Sequence, residues 1–161
     1  MEEIRGSRAL HRLEDNLDAS VALVGRARRQ VCLLCPALDP LLYGREEFIS
    51  AVRGFLLTST RAGLRVLVHD GQAPMRRGHP LVPVLRRFSS QAECRRVAGD
   101  FREQTDSVLL VDGRMLVHRP DAAGYEGHVD ADPRRARTAQ ARFDEIWEHS
   151  EPDRELRRLY I

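Results

Sequence analysis

The 161-residue sequence predicts an α/β fold in which a mixed β-sheet is sandwiched between helices, and three stretches carry that expectation. Val31-Cys32-Leu33-Leu34-Cys35 and Leu64 to Val68 are short apolar runs separated by an amphipathic helical segment. Strand, helix, strand of this length implies a parallel pair joined by a right-handed crossover. Val108 to Val111 and Met115 to Val117 are two further apolar runs, with Asp112-Gly113 between them. That dipeptide accepts positive φ at both centres of a type I′ turn, and strands joined by so short a loop lie antiparallel.

Taken in order, residues 1–12 read as an irregular lead-in. Leu13, Leu17, Val21 and Val24 then recur at helical spacing as far as Arg28. The run Val31 to Cys35 is stopped by Pro36 and reads as a strand buried on both faces. Leu38 to Gly44 is expected to be a loop that reaches over an active face. A second helix is predicted from Arg45 to Arg61, burying Phe48, Ile49, Val52, Phe55 and Leu56. Glu46 and Glu47 suit its positive end, Arg61 suits its negative end, and Gly63 is placed to terminate it.

After the Leu64–Val68 strand, His69-Asp70-Gly71 opens a loop that carries Arg76, Arg77 and His79. Pro80 to Phe88 predicts a short helix, with Pro83 tolerated in its first turn. Cys94 to Val97 reads as a peripheral strand. The Asp112-Gly113 hairpin follows, and then a polar loop from Pro120 to Ala131. Asp132-Pro133 is an N-cap and N1 pair for a last long helix, whose apolar stripe is Ala136, Ala139, Phe143, Ile146 and Trp147. Residues 151–161 form a charged tail with room for a final helical turn.

Composition bounds the chemistry. A chain of this length buries roughly 70% of its unfolded surface and can fold without disulfides or metal. Its 26 basic residues are all arginine, so no lysine is available as phosphate ligand, Schiff base or general acid. The net charge of +2 creates no global field that demands nucleic acid. No apolar run approaches the ~20 residues of a membrane span. The N-terminus opens on glutamates without a signal-peptide core, and three cysteines suit a reducing compartment, so a cytoplasmic chain is expected.

The candidate chemistry is sparse. Cys32-x-x-Cys35 lies in a predicted strand, where a three-residue offset turns the two thiols to opposite faces, so both are assigned to the core. His69 ends a strand at the sheet's carboxyl edge, the usual ligand side of an α/β sheet. Together with Arg76, Arg77 and His79 it forms a candidate anion site. His118, His128 and Asp130 have no recognised metal spacing, and no metal or cofactor is assigned. Arginine pairs such as Arg86-Arg87 and Arg134-Arg135 alternate with carboxylates and read as solvated helix faces.

The strand running into Val111-Asp112-Gly113-Arg114, the order of elements and the later Phe143-x-x-x-Trp147 helix resemble one half of the phospholipase D-like superfamily, over about residues 30–150. It is also similar to a bacterial domain of unassigned role found alone or appended to acetyltransferases. The resemblance implies the motif His-x-Lys-x-x-x-x-Asp, with a nucleophilic histidine and a phosphate-holding lysine. Aligning on Asp112 puts Thr105 at the histidine and Ser107 at the lysine, so the motif is degenerate. Asp-Gly is favoured in the turn whatever the chemistry.

The expectation is therefore a non-catalytic phospholipase D-like binding or regulatory domain. It comprises an N-terminal lead-in and helix (1–29), the α/β domain (30–150) and the tail (151–161). Its expected partners are a second copy, since the active family pairs two halves, and a phosphate-containing or other anionic ligand. Two competitors stand beside this reading. One is a phosphodiesterase-type hydrolase using non-motif histidines, His69 and His79 near Asp39 and Asp70. The other, ranked lower, is a nucleic-acid binder.

Overall fold

The computed structural model describes residues 6–69, 78–101 and 103–152. In chain order the elements are β1 (Ser7–Leu10), α1 (Leu13–Gly25), β2 (Gln30–Leu34), α2 (Pro40–Tyr43), α3 (Glu46–Leu57) and β3 (Gly63–Val68). There follow α4 (Leu81–Arg87), β4 (Ala92–Arg96), a 3-10 turn (Gly99–Phe101), β5 (Ser107–Val111), β6 (Met115–Arg119), β7 (Gly127–Asp130), α5 (Pro133–Glu148) and β8 (Glu151–Pro152).

Among the described residues the eight strands form one mixed sheet, ordered β1-β7-β6-β5-β2-β3-β4-β8. β2, β3 and β4 run parallel, while β5 joins β2 antiparallel and continues through β6 and β7 to β1. The period-two alternation of the strands divides the core. Val31, Leu33, Val66, Leu109 and Val117 pack with α1, α3 and α4 residues such as Leu23, Phe48 and Leu85. Cys32, Leu34, Leu67, Leu110 and Leu116 pack on the opposite face with Phe143, Ile146 and Trp147 of α5. This is the expected sheet between helices. The predicted stripe of α3 is the buried one, and Asp132 caps α5 by accepting from the Arg134 N–H at 2.9 Å.

Five local expectations need correction. The lead-in contains β1, which pairs with β7, a strand inside the supposed polar loop 120–131. Both are four-residue segments, too short for alternation to stand out; β1 is the sheet's edge and β7 is held between β1 and β6. The segment at 38–44 is not a plain loop: Asp39 accepts from the Leu41 N–H at 3.0 Å and Pro40 takes N1, which winds α2. The second helix stops at Leu57, short of Arg61. There the Thr58 hydroxyl donates to the Phe55 carbonyl at 2.6 Å, and Gly63 begins β3 instead of closing a helix. Finally, Glu151–Pro152 adds an edge strand beside β4, while the rest of the tail lies outside the described residues.

Among the described residues no helix is long and apolar enough to cross a membrane. The three cysteines are free and buried. Cys32 belongs to the α5 side of the core and Cys35 to the other.

Candidate functional site

Thr105 and Ser107 stand at the carboxyl end of β2, where β5 begins, whereas Asp112 lies at the other end of β5. Thr105 is exposed, and its carbonyl accepts from the Ala122 N–H at 2.9 Å. Ser107 is buried, its hydroxyl 3.2 Å from that of Tyr43 on α2. Ser107 pairs with Arg119 across the β5–β6 ladder, so the two side chains share a face. The Arg119 guanidinium is only 1% exposed. It donates to the Ala122 and Gly124 carbonyls at 3.1 and 2.8 Å and lies between the rings of Tyr43 and Tyr125, 5.8 and 5.5 Å from their centres.

Tyr125 in turn donates to Asp39 at 2.8 Å. Burial, and then the Asp39 hydrogen bond, push the Tyr125 phenol up to about 12. Burial carries Tyr43 to about 12 as well, and raises the Cys35 thiol, so these phenols and this thiol stay protonated near neutral pH. The backbone is closely fitted here: a Cβ on Gly127 would collide with the His118 carbonyl and the Arg119 side chain.

Asp112 has a different occupation. Its carboxylate accepts the backbone N–H groups of Arg28, Arg29 and Gln30 at 2.9, 2.8 and 2.8 Å. With φ of 55° at Asp112 and 64° at Gly113, the turn has the positive φ values that its sequence demands. The motif's surviving carboxylate thus ties the hairpin to the start of β2, at the opposite end of β5 from Thr105.

Of the candidate anion group, Arg76 and Arg77 lie outside the described residues, as does Asp70. His79 is buried with both ring nitrogens committed: Nδ1 accepts from the Leu81 N–H at 3.0 Å, and Nε2 donates to the Leu38 carbonyl at 3.0 Å. Burial lowers its pKa, and the ring acts as a neutral clamp on a residue whose φ is 48°. His69 is half-buried, with Nε2 2.9 Å from Gln104 Oε1.

A hollow with a volume of about 460 Å³ lies on the α5 face. Leu34, Val108, Leu116 and Phe143 form its apolar floor, and His118, His128, Arg134, Arg135, Arg142 and Asp106 supply its polar groups. Asp106 accepts from His118 Nε2 and Arg142 Nη1, both at 2.9 Å, and from Gln104 Nε2 at 2.6 Å. Gln104 also donates to the Asp106 carbonyl, which links this cluster to His69. Burial alone would raise the Asp106 pKa, but the bonds from His118, Gln104 and Arg142 outweigh it and hold the carboxyl well below the usual range.

His128 stands edge-on to His118 with ring centres 5.4 Å apart, and its pKa is lowered by burial and then by that neighbour. Arg135 pairs with Asp130 at 2.8 Å. His118, His128 and Asp130 therefore lie close, but among the described residues no three His, Cys, Asp or Glu side chains are grouped to hold a metal. Sequence reasoning missed Asp106, Arg142 and the Arg119–Tyr43 contact. Strand alternation from Ser107 would have put Asp106 and His118 on the α5 face, whereas the His118–His128 pairing required β7 to be known.

This arrangement defines a phospholipase D-like fold, and three solved structures share it at sequence identities that speak to fold alone. Nuc, a phospholipase D family member from Salmonella typhimurium, is similar over 91% of this chain and 97% of its own, with a TM-score of 0.65 and 9% identity. NucT from Helicobacter pylori matches over 91% and 98%, with a TM-score of 0.63 and 10% identity. TrmBL2, an archaeal chromatin protein with a novel mode of DNA binding, matches over 95% of this chain at a TM-score of 0.68 and 12% identity; this chain spans 56% of its length. Residues 12–159 match the family described as Domain of unknown function (DUF7931), and the chain belongs to that family. No curated protein matches the sequence.

Proposed function

We propose that this chain is a non-catalytic phospholipase D-like binding or regulatory domain for an anionic ligand. One observation supports the reading: Ser107, which alignment on Asp112 sets against the superfamily's lysine as it sets Thr105 against the histidine, is buried beside Tyr43 and Arg119. Neither hydroxyl can form a phospho-histidine intermediate, and no lysine exists elsewhere to hold phosphate oxygens. The test is hydrolysis of bis(p-nitrophenyl) phosphate by the purified chain, with His69→Ala and His118→Ala as controls. Turnover no faster than buffer is expected. Robust turnover that either substitution abolishes would establish the hydrolase competitor.

The second reading, DNA binding, is favoured by the shared fold of TrmBL2, whose description names DNA binding. Retention of duplex DNA at physiological salt, weakening steeply as salt rises, would support it. By analogy with paired halves of the superfamily, a homodimer is the proposed assembly, and sedimentation equilibrium reads it directly. Three free, buried thiols support a reducing, cytoplasmic setting.

A further inference from the structure

We infer that the hollow between α5 and strands β5, β6 and β7 binds a small phosphate monoester with an apolar body, on the sheet face opposite the motif positions. This deepens the ligand-binding reading and rests on it. Asp106 and His118 project to the α5 face, whereas Ser107 and Arg119, each one residue further along, project to the other. The two regions are therefore separate sites on one sheet.

Three features of the hollow specify the ligand. Its volume of about 460 Å³ falls within the roughly 300–1,000 Å³ typical of small-molecule sites. That size and the apolar floor suit a compact molecule better than the long stripe of charge that a nucleic-acid backbone needs. Cationic groups outnumber anionic ones: three arginines line the hollow against a single lining carboxylate, with the imidazoles of His118 and His128 beside them as further hydrogen-bonding groups. That carboxylate is already saturated by His118, Arg142 and Gln104, so it fixes donors in place instead of binding a cation.

The donors are also held where an anion can meet them. Arg142 uses Nη1 on Asp106 yet its side chain is 50% exposed, leaving N–H groups for an incoming oxygen. Arg135 is similarly anchored by Asp130 and open to solvent. A planar guanidinium fork fixed by a carboxylate is preorganised for phosphate oxygens. Leu34, Val108, Leu116 and Phe143 would cover an aryl or alkyl group attached to that phosphate.

The experiment titrates phenyl phosphate, inorganic phosphate and phenol into the full chain, followed by calorimetry and by the imidazole NMR signals of His118 and His128. Phenyl phosphate is expected to bind one per chain in the range of about 0.1–1 mM, at least about tenfold tighter than either half-ligand, and to shift both imidazoles. Arg142→Ala should weaken it about tenfold through loss of charge-assisted hydrogen bonds. Thr138→Trp, which lines the hollow from α5 and would fill it, should remove binding while leaving the far-UV spectrum unchanged. Equal affinity for phosphate and phenyl phosphate, unshifted imidazoles, or indifference to both substitutions would overturn the assignment. Hydrolysis of the diester substrate would refute the non-catalytic reading without touching this site. Absence of phenyl phosphate binding without hydrolysis would refute this site alone.

Discussion

Asp112 ties the β5–β6 turn to the start of β2, and substitution measures what that tie contributes. The carboxylate accepts three backbone N–H groups, of which those of Arg28 and Arg29 face solvent and that of Gln30 is half-buried. Removing the carboxylate lets water replace the first two bonds and leaves the Gln30 N–H poorly served, at a cost of about 2 kcal/mol for a charged hydrogen-bonding group. The φ of 55° adds a second penalty for any residue with a Cβ and no local hydrogen bond, about 1 kcal/mol. Asp112→Ala should therefore lose about 3 kcal/mol, Asp112→Gly about 2, and Asp112→Asn about 1, since the amide keeps one acceptor and tolerates the left-handed region. Urea unfolding at pH 7 followed by circular dichroism reads all three, and about 3 kcal/mol corresponds to a fall in Tm of roughly 6–12 °C for a chain of this size. If alanine and glycine were equally destabilising, the backbone contribution would be absent. If alanine matched the wild type, the carboxylate would not be a structural anchor at all.

Two further outcomes follow from the buried polar groups. Asp106→Asn should destabilise the chain by about 2 kcal/mol at pH 7, because it unpairs His118 and half-exposed Arg142. The folded pKa of Asp106 lies below its unfolded value, so this contribution is complete above about pH 4 and is lost as pH falls toward the folded pKa; a stability gap unchanged between pH 7 and pH 2 would contradict it. Arg119→Ala should cost about 3 kcal/mol by opening a cavity between Tyr43 and Tyr125 and freeing the Ala122 and Gly124 carbonyls. Arg119→Met should cost less, since a flexible apolar chain refills the space, and the order is checked by thermal unfolding.

What could be read from the sequence divides along physical lines. The α3 stripe, the Asp132-Pro133 cap and the Asp112-Gly113 turn are local decisions, made by neighbours a few residues apart, and each is found where the sequence puts it. β1 and β7 escaped because neither is stable alone: four residues of mixed polarity become a strand only when β6 and β1 flank β7. The same limit hid the hollow beside α5. Asp106 and His118 could be assigned a face by alternation, but His128 reaches them through β7 and Arg142 through α5, across separations of 22 and 36 residues from Asp106.

That division also explains how the chain can differ so far from its structural neighbours in sequence while sharing their fold. The sheet depends on apolar alternation, which many sequences satisfy, whereas the motif depends on two particular side chains whose loss the core does not feel. A small residue such as Ser107 at a buried strand position leaves volume that neighbours must fill, because an unfilled buried space costs stability in proportion to its size. Tyr43 from the α2 turn and Arg119 from the adjacent strand fill it. The positive charge beside Ser107 belongs to an arginine that is buried and bonded inward to the Ala122 and Gly124 carbonyls, where it braces the 120–124 loop. A cation in this place stabilises the chain because it is unavailable. The arginines of α5, open on one side and braced on the other, are the ones arranged to meet a ligand.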